Sequence, residues 1–194
     1  MSVTFSIRTE APQVLNFLIY IQNIYLNLKF DRIEEYKFSY IPTREILFRQ
    51  DIELGFEKLW NDVSQEVSLH PINGTKIFHE EKELFYKSLF KDRADSLKVY
   101  NEIYDTFKVW WNSLAGQFSI ERSIGEKGKK LYTDLANSFK QKGNEDKKEI
   151  NIYLIYEECR LGEVFATANF AVVSIREFYI NYKELVAKLE EVIC

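Results

Sequence analysis

The chain has 194 residues, of which 46% are hydrophobic and 29% charged, which is the size and composition of a folded globular protein. Its net charge of −4 argues against nucleic acid as the default partner, because phosphate backbones are bound by clustered lysine and arginine side chains. The cysteines, Cys159 and Cys194, form neither a disulfide framework nor a metal-ligand spacing. With only 7 glycines and 3 prolines, the composition favours helices over a turn-rich β-fold.

The N-terminal segment lacks the basic and apolar regions of a signal peptide, so a cytoplasmic location is expected. The apolar stretch at residues 14–28 is interrupted by asparagine and glutamine. It is also shorter than the roughly 20 residues that a membrane-spanning helix needs. We therefore expect a buried helix there and no transmembrane segment.

The first elements are predicted from periodicity and from proline. Val3, Phe5 and Ile7 alternate with polar residues, which indicates a short strand. A proline is tolerated in the first turn of a helix, so Pro12 predicts a helix that runs to about residue 29. Residues 36–42 form either an extended connector or a second short strand, which would make a small β-hairpin near the N-terminus.

The middle of the chain carries helical spacings of three and four residues. They predict a helix at residues 44–68, ended by a turn at Asn73-Gly74, and a further helical stretch at residues 80–114. An unbroken helix over the latter would be roughly 50 Å long, more than a compact domain of this size accommodates. A break is therefore expected near residues 92–95. Residues 118–124 are ambiguous, and another helix is predicted at residues 127–142.

The C-terminal part of the chain has a heptad-like pattern of apolar residues from Leu161 to Ile193, which predicts a helix at the centre of the fold. Asp146 and Glu149 have the spacing of a capping box, so a helix is expected to start near residue 147. Residues 150–156 are β-branched and aromatic, which leaves a strand as the alternative to the favoured helix. A kink or a short non-helical piece is expected between residues 157 and 162, again because of length.

Taken together, these patterns predict a mainly α protein. We expect residues 1–194 to form a single domain, a bundle of about five helices, with the short N-terminal hairpin as an option. The aromatic share of 15% indicates that the core is built largely from rings.

Few residue combinations in the sequence could support catalysis or metal binding. His70 and His79 are the only histidines, and they match no metal-site spacing, so no metal, cofactor or catalytic residue is predicted. Neighbouring carboxylates at Glu157 and Glu158 should raise the pKa of the Cys159 thiol and suppress its nucleophilic form. Several lysines between residues 127 and 148 make that region basic, for which a solvated surface is favoured over contact with an anionic partner. Residues 125–130 lack the spacing of a phosphate-binding loop.

Trp110 is the predicted partner-binding residue. Adjacent helical residues point about 100° apart, so an inward Trp111 leaves Trp110 at the flank of its helix, and tryptophan is enriched in binding hot spots. The predicted function is a non-enzymatic, cytoplasmic protein-binding module, such as an inhibitor, immunity, adaptor or phage-type regulatory protein. The alternative is a small-ligand binder or enzyme that uses carboxylates and tyrosines in an aromatic pocket, with Glu157 and Glu158 as candidate ligand-pocket residues.

Overall fold

The computed structural model describes residues 5–30, 37–38, 48–71, 73–142, 148–163 and 166–193. Within these ranges, 66% of the residues are helical, in nine helices, and the remaining regular structure is a small sheet. The predicted mainly α class is therefore confirmed, with more helices than the five expected.

The strands lie near the two ends of the described part of the chain, and most of the helices lie between them. The first strand and helix are followed by a long run of helices, and the remaining strands lie near the C-terminus. In chain order the elements are β1 (Phe5–Glu10), α1 (Gln13–Lys29), α2 (Ile52–Leu69), α3 (Asn73–Glu80), α4 (Lys82–Leu89), α5 (Ala94–Trp111), α6 (Gln117–Ser123), α7 (Gly125–Gln141), β2 (Lys148–Ile155), β3 (Ala166–Thr167), β4 (Phe170–Ser174), α8 (Ile175–Tyr179) and α9 (Tyr182–Ile193).

The described residues divide into two compact units. The sheet unit contains β1 to β4 together with α6 to α9, and the helical unit contains α1 to α5 together with the segment Cys159–Glu163. The expectation of a single domain stays a prediction.

Helix α1 lies at the centre of the helical unit, where it contacts α2, α3 and α5. Nearly all of its residues from Val14 to Leu26 are buried, so it is apolar on every side rather than amphipathic. Phe17 is completely buried, and its ring contacts the rings of five other residues: Phe78, Phe85, Tyr100, Tyr104 and Phe107. Aromatic packing of this kind explains the high content of Phe and Tyr.

Amide side chains on α1 fix two connecting segments of the helical unit. The Gln22 Oε1 atom accepts hydrogen bonds from the backbone N–H groups of Arg160 (2.6 Å) and Leu161 (3.1 Å). Asn27 makes a reciprocal pair of hydrogen bonds with the backbone of Lys37. These amides interrupt the apolar stretch and give hydrogen-bond partners to the partly buried backbone groups of Lys37, Arg160 and Leu161.

The sheet unit has the strand order β1-β2-β4-β3. β1 pairs with β2 and β2 pairs with β4 in parallel, whereas β3 pairs with β4 antiparallel. The central strands are apolar over most of their length, as expected for strands covered on both faces. Helix α7 contacts both β1 and α9, and α9 contacts α8.

Three sequence predictions of local structure are confirmed by the described residues. A strand forms at Phe5 and Ile7, although Val3 lies outside the described residues. Helix α1 begins and ends close to the predicted positions. The expected break lies between α4 and α5, where Arg93 precedes the new helix.

The prediction of helices in the C-terminal part of the chain is largely wrong. Residues 150–156 form most of strand β2, and the predicted heptad helix is instead the segment Cys159–Glu163, β3, β4, α8 and α9. Short strands buried on both faces give continuous apolar runs, which can imitate helical spacing. The predicted capping residue Asp146 lies outside the described residues.

Two further predictions differ from the structure in detail. Asn73 and Gly74 begin helix α3 rather than forming a turn, and α2 begins at Ile52 rather than near residue 44. The second strand of the optional N-terminal hairpin falls on residues 36–42, nearly all of which lie outside the described residues. Within the described residues, β1 pairs with β2.

Candidate functional site

Trp110 lies at the flank of α5, next to the buried Trp111. It is half-buried, and its ring contacts those of Tyr20, Phe38, Phe107 and Trp111. The closest of these contacts is with Phe38, at 4.9 Å between ring centroids. Other residues of the helical unit therefore cover much of the Trp110 side chain.

Glu157 and Glu158 follow the carboxyl end of β2 in the sheet unit. Both are partly buried, and a Glu158 carboxylate oxygen lies 3.5 Å from Nε of Arg176 on α8. Neither residue lines the groove described next. The proposed ligand-pocket role of these two residues stays a prediction.

A groove of about 800 Å³ opens on the sheet unit where α6, α7 and α8 meet. We call it the cationic groove. Its lining residues are Glu121, Arg122, Ser123, Gly125, Glu126, Lys127, Lys130 and Tyr179.

The positively charged residues of the cationic groove lie over aromatic rings. The Lys130 Nζ atom is 4.7 Å from the centroid of the Tyr182 ring, and the Lys127 Nζ atom is 5.5 Å from the same centroid. On α6, the Arg122 guanidinium carbon is 5.6 Å from the Phe118 ring centroid. A ring face attracts a cation without using up its hydrogen-bond donors.

The carboxylates near the groove do not form ion pairs with its cations among the described residues. Among the described residues, Arg122, Lys127 and Lys130 form no ion pair. The carboxylate of Asp134 accepts a hydrogen bond from the Tyr182 hydroxyl at 2.7 Å. Burial and the Asp134 charge both raise the pKa of Tyr182, so its hydroxyl stays protonated and donates.

The acidic residues in the lining differ in their environment. Oε1 of Glu121 accepts hydrogen bonds from the backbone N–H of Ala11 at 3.3 Å and from the Gln117 side chain at 2.9 Å. Glu126 is exposed in the first turn of α7. The three cationic residues of the lining thus outnumber its two carboxylates, and one of those carboxylates is held by local donors.

Helix α7 begins at the cationic groove. Its N-cap residue is Ile124, and no side chain caps the first turn. A Cβ atom added at Gly125 would meet nothing within 4 Å, so the space in front of this turn is open. The N–H groups of the first turn add positive potential to that of the cationic side chains.

Tyr179, on α8, forms one wall of the groove. Its hydroxyl donates a hydrogen bond to the backbone oxygen of Ser123 at the end of α6, and the Lys127 Nζ atom is 5.9 Å from its ring centroid. Tyr179 as a whole is 53% exposed. A capping box between Ser174 and Glu177 starts α8 and so positions Tyr179.

Other candidate sites are less developed in the part of the chain that the structure describes. No group of three or more histidine, cysteine, aspartate or glutamate side chains there could hold a metal ion. Cys159 is partly buried in the helical unit, and desolvation raises the pKa of its thiol to about 12. The sequence reasoning attributed such a shift to Glu157 and Glu158, whereas desolvation is the main cause. None of the described helices combines the length and hydropathy required to cross a bilayer.

Sequence reasoning identified the lysines of the groove but not the groove itself. Lys127 and Lys130 belong to the basic stretch between residues 127 and 148, for which the sequence alone favours a solvated surface. Arg122 lies in a segment for which the sequence pattern is ambiguous, and the helical spacing wrongly predicts one continuous helix around Tyr179. The pairing of α8 with the α6–α7 corner depends on tertiary contacts that helical periodicity does not encode.

Comparisons with known proteins do not assign a function. No protein-family model matches the sequence, and comparison with curated proteins and with solved structures finds no significant similarity. The functional proposal therefore depends on the chemistry of the cationic groove.

Proposed function

We propose that this protein binds a phosphate-bearing ligand in the cationic groove. The observation that carries the proposal is the convergence of Arg122, Lys127 and Lys130 on one groove, with no ion pair to any of them among the described residues. Their donors are available to an anion, because ring faces rather than carboxylates hold the side chains.

Each of these groups suits phosphate for a different reason. The planar guanidinium of Arg122 can donate two parallel hydrogen bonds to two oxygens of one phosphate. The ammonium groups of Lys127 and Lys130 act as compact charges with donors that rotate toward the ligand. The uncapped first turn of α7 contributes backbone N–H groups on the same side.

Isothermal titration calorimetry with pyrophosphate tests this proposal. The double variant Lys127→Gln/Lys130→Gln should weaken pyrophosphate binding by about tenfold or more, because two charge-assisted contacts are lost. The matched control is Lys129→Gln/Lys140→Gln, which removes the same charge from α7 at exposed positions outside the groove. Equal binding by the two double variants, or no binding by the unaltered protein, would refute the proposal.

The acidic residue Glu126 provides a test in the opposite direction. Its carboxylate lines the groove and repels an anion, so Glu126→Gln should strengthen pyrophosphate binding by about twofold to fivefold. The same change at Glu184, exposed on α9 and outside the groove lining, is the control. An unchanged or lower affinity for Glu126→Gln would place the bound anion elsewhere.

A second candidate function is the binding of a protein partner through the surface around Trp110. The observation that favours it is the contact between Trp110 and Phe38, because the Phe38 ring is 49% exposed and extends the aromatic cluster to the surface. Aromatic side chains at such positions are common anchors in protein interfaces. This candidate concerns the helical unit alone and is independent of the cationic groove.

The variant Trp110→Ala tests the second candidate. If a partner contacts Trp110, affinity for a partner recovered from the native host should fall by about 2 kcal/mol or more while stability changes less. Val109→Ala, at an exposed position next to Trp110 on α5, is the control. Lower thermal stability with unchanged partner affinity would assign Trp110 to the packing of the helical unit.

A further inference from the structure

We propose that the phosphate-bearing ligand is a nucleotide whose base stacks on the ring of Tyr179. This inference rests on the proposed function, since the cationic side chains would hold the phosphates. It adds that the part of the ligand beyond the phosphates carries a nucleobase, and it assigns Tyr179 as the residue that recognises this base.

The size of the groove is the first observation. Its volume of about 800 Å³ is far more than one phosphate group fills. Pockets for ligands of nucleotide size span roughly 300 to 1,000 Å³. The groove therefore accommodates a substantial organic group in addition to the phosphates.

The position of Tyr179 is the second observation. Tyr179 lines the same groove as the cations, and the residue is 53% exposed although it is a large aromatic one. The hydrogen bond from its hydroxyl to the Ser123 backbone oxygen holds the ring in place, so little side-chain entropy is lost when a ligand stacks on it. Nucleobases stack on exposed tyrosine rings of this kind.

The charge of the protein favours a single nucleotide over a nucleic acid strand. A strand is bound by an extended basic surface, whereas this chain has a net charge of −4. The groove itself also contains the carboxylates of Glu121 and Glu126. A small ligand needs only the local cluster of cations beside one ring.

Calorimetric titrations of the unaltered protein with ADP, pyrophosphate and adenosine separate the contributions. We expect ADP to bind about tenfold more tightly than pyrophosphate, because stacking of one base on an aromatic ring adds affinity, and adenosine to bind most weakly. This comparison needs no variant and so does not depend on the folding of a mutant. ADP binding no tighter than pyrophosphate binding would overturn the inference while leaving the proposed function intact.

Variants at Tyr179 test the assignment of the residue. Tyr179→Leu should abolish the preference for ADP over pyrophosphate, so that the two ligands bind this variant with equal affinity. Tyr179→Phe keeps the ring and should bind ADP within about threefold of the unaltered protein, since stacking needs only the ring face. Equal ADP affinity in the Leu and Phe variants would overturn the role of Tyr179. Failure of both ADP and pyrophosphate to bind the unaltered protein would overturn the proposed function as well.

Discussion

The Phe17 cluster of the helical unit and the tyrosines of the cationic groove show two different uses of aromatic residues. In the helical unit, the Phe17 ring is completely buried and contacts five other rings. In the sheet unit, Tyr182 and Tyr179 lie beside the lysines of the cationic groove, and Tyr179 is more than half exposed. Buried rings contribute mainly to stability, whereas rings beside cations at a groove position groups that can bind a ligand.

A similar contrast holds between a buried polar side chain of the helical unit and the exposed cationic side chains of the groove. Gln22 of the helical unit is buried, and its side-chain oxygen accepts hydrogen bonds from the backbone of the segment Cys159–Glu163. Arg122 and Lys130 of the sheet unit are exposed and form no ion pair among the described residues. Variants of the helical unit should therefore alter stability, and variants of the groove should alter binding.

The largest effect on stability is expected from a charge within the sheet. Val172 is 4% exposed in β4, between β2 and β3 in the strand order. Val172→Asp should prevent soluble expression, because an unpaired buried charge costs several kcal/mol against a total stability of about 5 to 15 kcal/mol. Ala168→Asp, in the exposed turn before β4, is the control. A normal thermal melt of Val172→Asp would contradict the burial of β4.

The next largest effect is expected at the centre of the ring cluster. Phe17→Ala should lower the free energy of unfolding by about 3 to 5 kcal/mol, because it leaves a cavity lined by rings. The control Val109→Ala, at a position 75% exposed on α5, should change it by less than about 0.5 kcal/mol. Urea unfolding measures both variants. Similar losses in the two would mean that Phe17 is not the centre of the cluster.

A smaller effect is expected where α1 fixes a connecting segment. Gln22→Leu removes the acceptor of the backbone N–H groups of Arg160 and Leu161, so unfolding should become easier by about 1 to 3 kcal/mol. Gln65→Leu makes the same chemical change at an exposed position of α2. Equal urea midpoints for the two variants would show that the segment does not depend on Gln22.

The smallest effect is expected from an exposed pair of charges in the helical unit. A hydrogen bond from Lys29 is the main cause that lowers the pKa of Glu53, with a second contribution from the Tyr25 hydroxyl. Because folding lowers the pKa of Glu53, the interaction of its carboxylate with Lys29 stabilises the folded state fully at pH values above the pKa that Glu53 has in the unfolded chain. This stabilisation is lost as the pH falls through the lower pKa that Glu53 has in the folded state. The free energy of unfolding of Glu53→Gln should therefore fall slightly less steeply than that of the unaltered protein between about pH 5 and pH 3.

The control for this titration is Glu57→Gln, at an exposed position on the same helix. Its urea midpoints should follow those of the unaltered protein across the acid range. Identical pH profiles for the Glu53 and Glu57 variants would remove the pair of Lys29 and Glu53 as a source of pH dependence.

Sequence patterns predicted the helical unit better than the sheet unit, for a physical reason. Helix α1 and the break before α5 follow from a proline, helical spacing and limits on length, all of which are local. Strands β2 and β4 form from apolar runs whose partners lie far away in the chain, since β1 pairs with β2 across more than a hundred residues. The spacing of Ser174 and Glu177 is a helix-start signal that would have interrupted the predicted C-terminal helix.

The candidate site was predictable only in part. Lys127 and Lys130 belong to a basic stretch visible in the sequence, and Gly125 marks the start of the helix that carries them. Arg122 and Tyr179 reach the same groove only because α6 and α8 pack beside the beginning of α7. Trp110 was selected from its position on a helix, and the structure adds the rings that cover part of it.

A nuclear magnetic resonance titration with pyrophosphate, following the backbone amides, tests the central claim most directly. The account predicts that the largest shifts occur at residues 122–130 and at Tyr179, and that they saturate at one equivalent. The Lys127→Gln/Lys130→Gln variant should lose these shifts. Shifts centred on the residues around Trp110, or the absence of saturable shifts in the unaltered protein, would contradict the claim that the cationic groove is the binding site.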